Sequence, residues 1–128
     1  MSYYFSKTLS GDFNTIIDKV TSALKVEGFG VLTEIDVKET LKKKLDVDFK
    51  KYKILGACNP PFAYKALQAE DKIGSMLPCN VTVIEQENGK VEVAAVDPVA
   101  SMQAIQNESL GSVANEVRNK LKKVVDSL

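Results

Sequence analysis

The sequence contains no histidine and no tryptophan. Without imidazole, serine–histidine and cysteine–histidine catalysis in their usual forms are excluded, and acid–base chemistry falls to carboxylates or a tyrosine such as Tyr64. Arginine occurs once, as Arg118, so the planar fork that suits bidentate phosphate or guanine contacts is nearly absent. Charge of one sign is also lacking: Lys+Arg and Asp+Glu stand at 17 each, which removes any general field for nucleic acid or a membrane surface. No run approaches the ~20 apolar residues of a membrane span, and the first residues, "MSYYFSKTLS", have no basic segment followed by an apolar one. The expected setting is cytoplasmic, with no nucleic-acid and no membrane partner. Neither a Walker-type phosphate loop nor a G-x-G-x-x-G run occurs. No motif names a cofactor, which stays unknown at this point.

Cysteine occurs twice, as Cys58 and Cys79. In a reducing compartment both are expected as thiols rather than a disulfide. Two thiols without imidazole fall short of the four donors of structural zinc. A four-sulfur site would need two subunits at a dimer axis, unless carboxylates such as Glu70 or Asp97 replaced some sulfurs.

What is present reads as one domain over residues 1–128, long enough to bury roughly two-thirds of the unfolded chain's surface. A β-prone "YYFSKTL" precedes Ser10-Gly11-Asp12, a turn and N-cap. Phe13, Ile16, Ile17, Val20 and Leu24 then form a helical stripe, with Gly28 placed to stop it in a left-handed conformation. From Phe29 the period becomes two, with Phe29, Val31, Thr33, Ile35 and Val37 alternating with Gly30, Leu32, Glu34, Asp36 and Lys38, which predicts a strand. The segment "KETLKKKLDVDFKKYK", residues 38 to 53, carries seven lysines against Glu39, Asp46 and Asp48 and reads as a solvated helix and connector. "KYKILGAC" follows as a third strand. Pro61 is placed to open a helix carrying Phe62, Ala66, Ala69 and Ile73 and ending near Gly74.

"CNVTVIEQENGKVEVAAVDP" predicts two strands about an Asn88-Gly89 turn. A two-residue loop would set Ile84 opposite Val93, Thr82 opposite Ala95, Asn80 opposite Asp97 and Cys79 opposite Pro98. The remainder is predicted helical in two pieces, with Ser109 or Ser112 as caps and Val113, Val117, Leu121 and Val124 as its stripe. The expected fold class is α+β, a mainly antiparallel sheet with helices packed on it.

The only two cysteines stand in two Cys-Asn dipeptides beside proline, in "GACNPPFAYKAL" and "LPCNVTV". These blocks, with "GSMLPCNVTVIE", the hairpin glycine and "VAAVDP", resemble the signature of the domain-of-unknown-function 302 family over nearly the whole chain. The matching positions are Cys58, Asn59, Pro60, Tyr64 and Ala66, then Glu70, Gly74, Leu77, Pro78, Cys79 and Asn80, and lastly Asp97 and Pro98. Ser75-Met76 departs from the two bulkier aliphatics of the pattern. The resemblance implies a TATA-binding-protein-like arrangement of helices on an antiparallel sheet, a homodimer, and no established activity.

The candidate ligand-binding residues are therefore Cys58, Asn59, Tyr64, Cys79, Asn80 and Asp97, with a small molecule as the ligand. Each has a plain structural alternative: buried thiols packing as small hydrophobes, and asparagines bonding their own backbone. Cys58 also precedes a helix start, where free N–H groups favour a nucleophilic thiolate. A thiol-dependent enzyme or redox protein is accordingly the rival reading, and a purely structural partner subunit the third. An antiparallel return after the helix would place both Cys-Asn pairs at one sheet end with the sulfurs within roughly 10 Å. A parallel crossover would separate them by roughly 15 to 20 Å.

Overall fold

The computed structural model describes residues 2–128. Its sheet has five strands in the order β1-β5-β4-β3-β2, every neighbouring pair antiparallel. The strands are β1 (Tyr4–Ser10), β2 (Gly30–Asp36), β3 (Tyr52–Cys58), β4 (Cys79–Glu85) and β5 (Lys90–Val96). The helices are α1 (Phe13–Val26), α2 (Val37–Leu45), α3 (Pro60–Ala69), the single turn α4 (Pro98–Ser101) and α5 (Glu108–Asp126), with a 3-10 helix at Asp71–Met76. The fold is α+β.

Helix α1 forms as its residues dictate. The Asp12 carboxylate accepts from Thr15 N–H at 3.0 Å, Gly28 takes φ 87° after the last turn, and Ile16, Ile17, Val20 and Leu24 are buried on one stripe. Helix α5 buries Val117, Leu121, Val124 and Val125 in the same way. Both stripes close over one sheet face made of Leu55, Ala57, Val81, Val83, Val91, Val93 and Ala95. Full burial of such aliphatic side chains stabilises by roughly 1.5–3 kcal/mol each. A second, smaller cluster joins Ala66, Ile73, Met102, Leu110 and Ala114, so the first turns of α5 belong to one core and its later turns to the other.

Four local expectations are corrected. Strand β2 carries a bulge between Val31 and Thr33, which inverts the alternation. Val31 pairs with Ala57, which belongs to the core, but Thr33 pairs with Gly56 and Ile35 with Ile54 on the other face, leaving Ile35 half exposed. The helix after Pro60 stops at Ala69, because Glu70 is extended (φ −145°, ψ 106°) and Asn107 Nδ2 donates to Ala69 O at 2.7 Å; Ile73 then lies on the 3-10 helix. Helix α5 is capped by Asn107, which accepts from Ser109 and Leu110 N–H, rather than by a serine.

The fourth correction is the hairpin register. Asn88 and Gly89 do turn the chain, with φ of 59° and 72°, but Gln86 N–H donates to Lys90 O at 2.8 Å and Glu87 becomes an extra residue. Thr82 consequently faces Ala94, Ile84 faces Glu92, and the ladder begins at Val81–Ala95. The expected Asn80–Asp97 and Cys79–Pro98 pairs do not form. Burial explains the shift: it places Val81 and Val83 on the same face as Val91, Val93 and Ala95, all buried, where the unshifted register would have turned those rows apart.

Candidate functional site

The chain leaves β3 at Cys58, runs through α3 and the 3-10 helix, and returns antiparallel as β4. Ala57 then pairs with Cys79 and Gly56 with Asn80. Both Cys-Asn dipeptides therefore stand at the same end of the sheet, on adjacent strands. By strand spacing and rise, the Cα atoms of Cys58 and Cys79 are about 6 Å apart. Neither cysteine is in a disulfide.

At this sheet end, where the two core clusters meet, a cavity of about 310 Å³ opens between the sheet, α3, α4 and α5. Phe29, Ala57, Phe62, Ala66, Met102 and Val117 are among its walls, and Cys58, Asn59 and Cys79 also line it. Its rim includes Leu32, the bulged residue of β2, and Leu67, both exposed. Every lining residue is apolar apart from the thiols and Asn59; no Asp, Glu, Lys or Arg lines it.

Asn59 is the polar element of the cavity. It occupies the N-cap of α3 but makes no capping bond there: Pro60 and Pro61 have no N–H, and the Phe62 N–H at the third position is left without it. Its Nδ2 instead donates to Glu27 O at the end of α1, at 3.1 Å. Gly28 makes this contact possible: a Cβ there would come within 3.2 Å of Nδ2. The Cys79 thiol is pushed up to about 11, chiefly by burial and secondarily by Cys58, and so stays protonated at neutral pH.

The other three candidates lie elsewhere. Tyr64 is 65% exposed on the outer side of α3, about 100° a step away from the inward Ala63 and Ala66. Asn80 is exposed and neighbours Gly56 on the sheet face opposite the core. Asp97, expected beside Asn80, is buried at the start of α4, where its carboxylate accepts from Val99 and Ala100 N–H and pairs with Arg118 at 3.1 Å. Arg118 also lies over the Phe5 ring, 5.1 Å from its centroid. The single arginine thus ties α5 to β1 and α4. Sequence reasoning did not place Gly28, Glu27, Leu32 or Phe62 at the site; the glycine after α1 signalled a helix end, not the asparagine packed upon it.

The family model described as "Domain of unknown function DUF302" matches residues 5–128. The chain belongs to this family. A crystal structure of an uncharacterized conserved DUF302 protein from Bacillus stearothermophilus is similar to it with a TM-score of 0.90 at 30% identity, over 98% of each chain. No curated protein matches it. Among the described residues of this DUF302 chain, no three His, Cys, Asp or Glu side chains come together to hold a metal, and no helix is long and apolar enough to cross a membrane.

Proposed function

We propose that this DUF302 chain is a small-molecule binding module whose site is the cavity at the Cys-Asn sheet end. The observation that carries the reading is the cavity itself: about 310 Å³, apolar, with one amide in its wall, the composition of a small-ligand site. Cys58, Asn59 and Cys79 are its contact residues, and Tyr64, Asn80 and Asp97 are left out of it. Titration of the 15N-labelled protein with 2-naphthol should shift amides of Cys58–Leu67, Cys79 and Met102–Val117. Ala63→Phe, which fills the mouth from a half-buried helix position, should abolish those shifts while leaving the circular dichroism spectrum unchanged. Shifts spread evenly over the surface, or unaltered by Ala63→Phe, would remove the cavity from consideration.

The rival, Cys58 as a nucleophile, draws support from its place on the cavity wall at the start of α3. It lacks a base, because no carboxylate lines the cavity and Cys79 is held protonated. The proposed assembly is a cytoplasmic homodimer, formed through the sheet face that α1 and α5 leave open. Tyr4, Ile35, Ile54 and Ile84 point to that face, partly or largely exposed, and such apolar area on a soluble domain favours association. Light scattering at micromolar concentration should give twice the 14.0 kDa chain mass; a single-chain mass would dismiss the dimer.

A further inference from the structure

The unpartnered oxygen of Asn59 restricts what the cavity can hold. Asn59 is 8% exposed. Its amide orientation follows from the 3.1 Å contact with Glu27 O, since a carbonyl acceptor requires the nitrogen to face it. That leaves Oδ1 on the other side, and none of the hydrogen bonds of the described residues ends there. Among them, no fully enclosed side-chain nitrogen or oxygen lacks a partner, so Oδ1 retains open surface, and Asn59 is one of the residues that line the cavity. The opening turn of α3 adds a donor. With proline at its first two positions, Phe62 N–H is the first helical N–H. It has no acceptor, since the chain's first bond back to Asn59 O comes from Ala63.

Resting on the cavity reading, we propose that the ligand is a neutral molecule with a compact apolar body and one hydroxyl, which donates to Asn59 Oδ1. The same hydroxyl oxygen can accept from Phe62 N–H. The volume accommodates roughly a dozen non-hydrogen atoms, scaling from benzene in a cavity of about 150 Å³. A charged head group is disfavoured because it would shed its water among alanine, phenylalanine and leucine side chains with no opposite charge on the walls. A hydrocarbon of the same shape would fill the space but leave the Asn59 oxygen without water or partner.

Three probes of one shape separate these cases: 2-naphthol, naphthalene and 2-naphthoate, titrated into the full chain at pH 7 with amide shifts as readout. 2-Naphthol should bind about tenfold more tightly than naphthalene, the effect of one hydrogen bond to a group otherwise stranded. 2-Naphthoate should bind most weakly of the three. In Asn59→Leu the ratio of naphthol to naphthalene affinity should fall to about one. If that variant does not fold, the ranking in the native chain decides the matter alone. Equal binding of naphthol and naphthalene, or tightest binding of naphthoate, overturns the hydroxyl inference and leaves the cavity reading standing. Failure of all three probes overturns both.

Discussion

Two thiols separated by one ladder step sit in unlike surroundings. Cys79 is 8% exposed on the buried face with Val81 and Val83, and its pKa is pushed up to about 11. Relative to an ordinary thiol at 9.0, that shift lowers the thiolate fraction near pH 8 about a hundredfold. Iodoacetamide at pH 8 should therefore modify Cys58 and leave Cys79 nearly untouched in the folded protein. Comparable labelling of both would show Cys79 to be accessible. The same shift makes stability depend on pH. Above pH 9 the unfolded chain releases the Cys79 proton while the folded chain retains it, so the contribution is complete below pH 9 and declines as pH rises toward 11. The decline amounts to about 2–3 kcal/mol. Urea midpoints at pH 8 and pH 10.5 should fall for the native chain more than for Cys79→Ala, whose lower stability at pH 8 reflects lost packing alone.

Strand β3 is held against its neighbours at Gly56. A Cβ there would lie 2.1 Å from Thr33 Oγ1 and 2.8 Å from Pro78 Cγ. The threonine can rotate away and the proline ring cannot. Gly56→Ala should cost more than about 2 kcal/mol in denaturant unfolding, and Thr33→Ala in the same chain should recover only part of it; full recovery would show that Pro78 yields. Which elements could be read from the sequence follows the same division between local and distant contacts. Helix α1 was fully legible, because Asp12, the stripe from Phe13 to Leu24, and Gly28 are contiguous. The Asn88-Gly89 turn was legible too, but the register was not, since it was decided by which valine row could be buried. The bulge at Leu32 left no mark, as Leu32 suits either face. The break at Glu70 depended on Asn107, 38 residues from Ala69. The repeated Cys-Asn dipeptide pointed to Cys58, Asn59 and Cys79, which line the cavity, and to Asn80, which does not. Asp97 was misplaced by the register, and Tyr64 by the phase of a helix whose inward face is set by α5.

In the whole molecule, one element spans both cores. Helix α5 contributes Val117, Leu121, Val124 and Val125 to the sheet cluster, and Leu110 and Ala114 to the smaller one. The cavity lies between the clusters, which Val113 bridges by packing against both. The segment from α3 through the 3-10 helix touches the sheet cluster through Phe62 and places Ala66 and Ile73 in the smaller one, so its detachment exposes less apolar area than unfolding of the sheet. Amide hydrogen exchange should resolve this as two rates under native conditions: amides of Phe62–Ile73 exchanging through a partial opening, and those of Val81–Val83 and Val91–Ala95 exchanging only with global unfolding. Uniform protection across both sets would show the clusters to be one cooperative unit. A gap between two cores is, in this sense, a hinge line: on the binding reading proposed above, lifting the segment from α3 through the 3-10 helix would widen the mouth of the cavity and leave the sheet beneath it undisturbed.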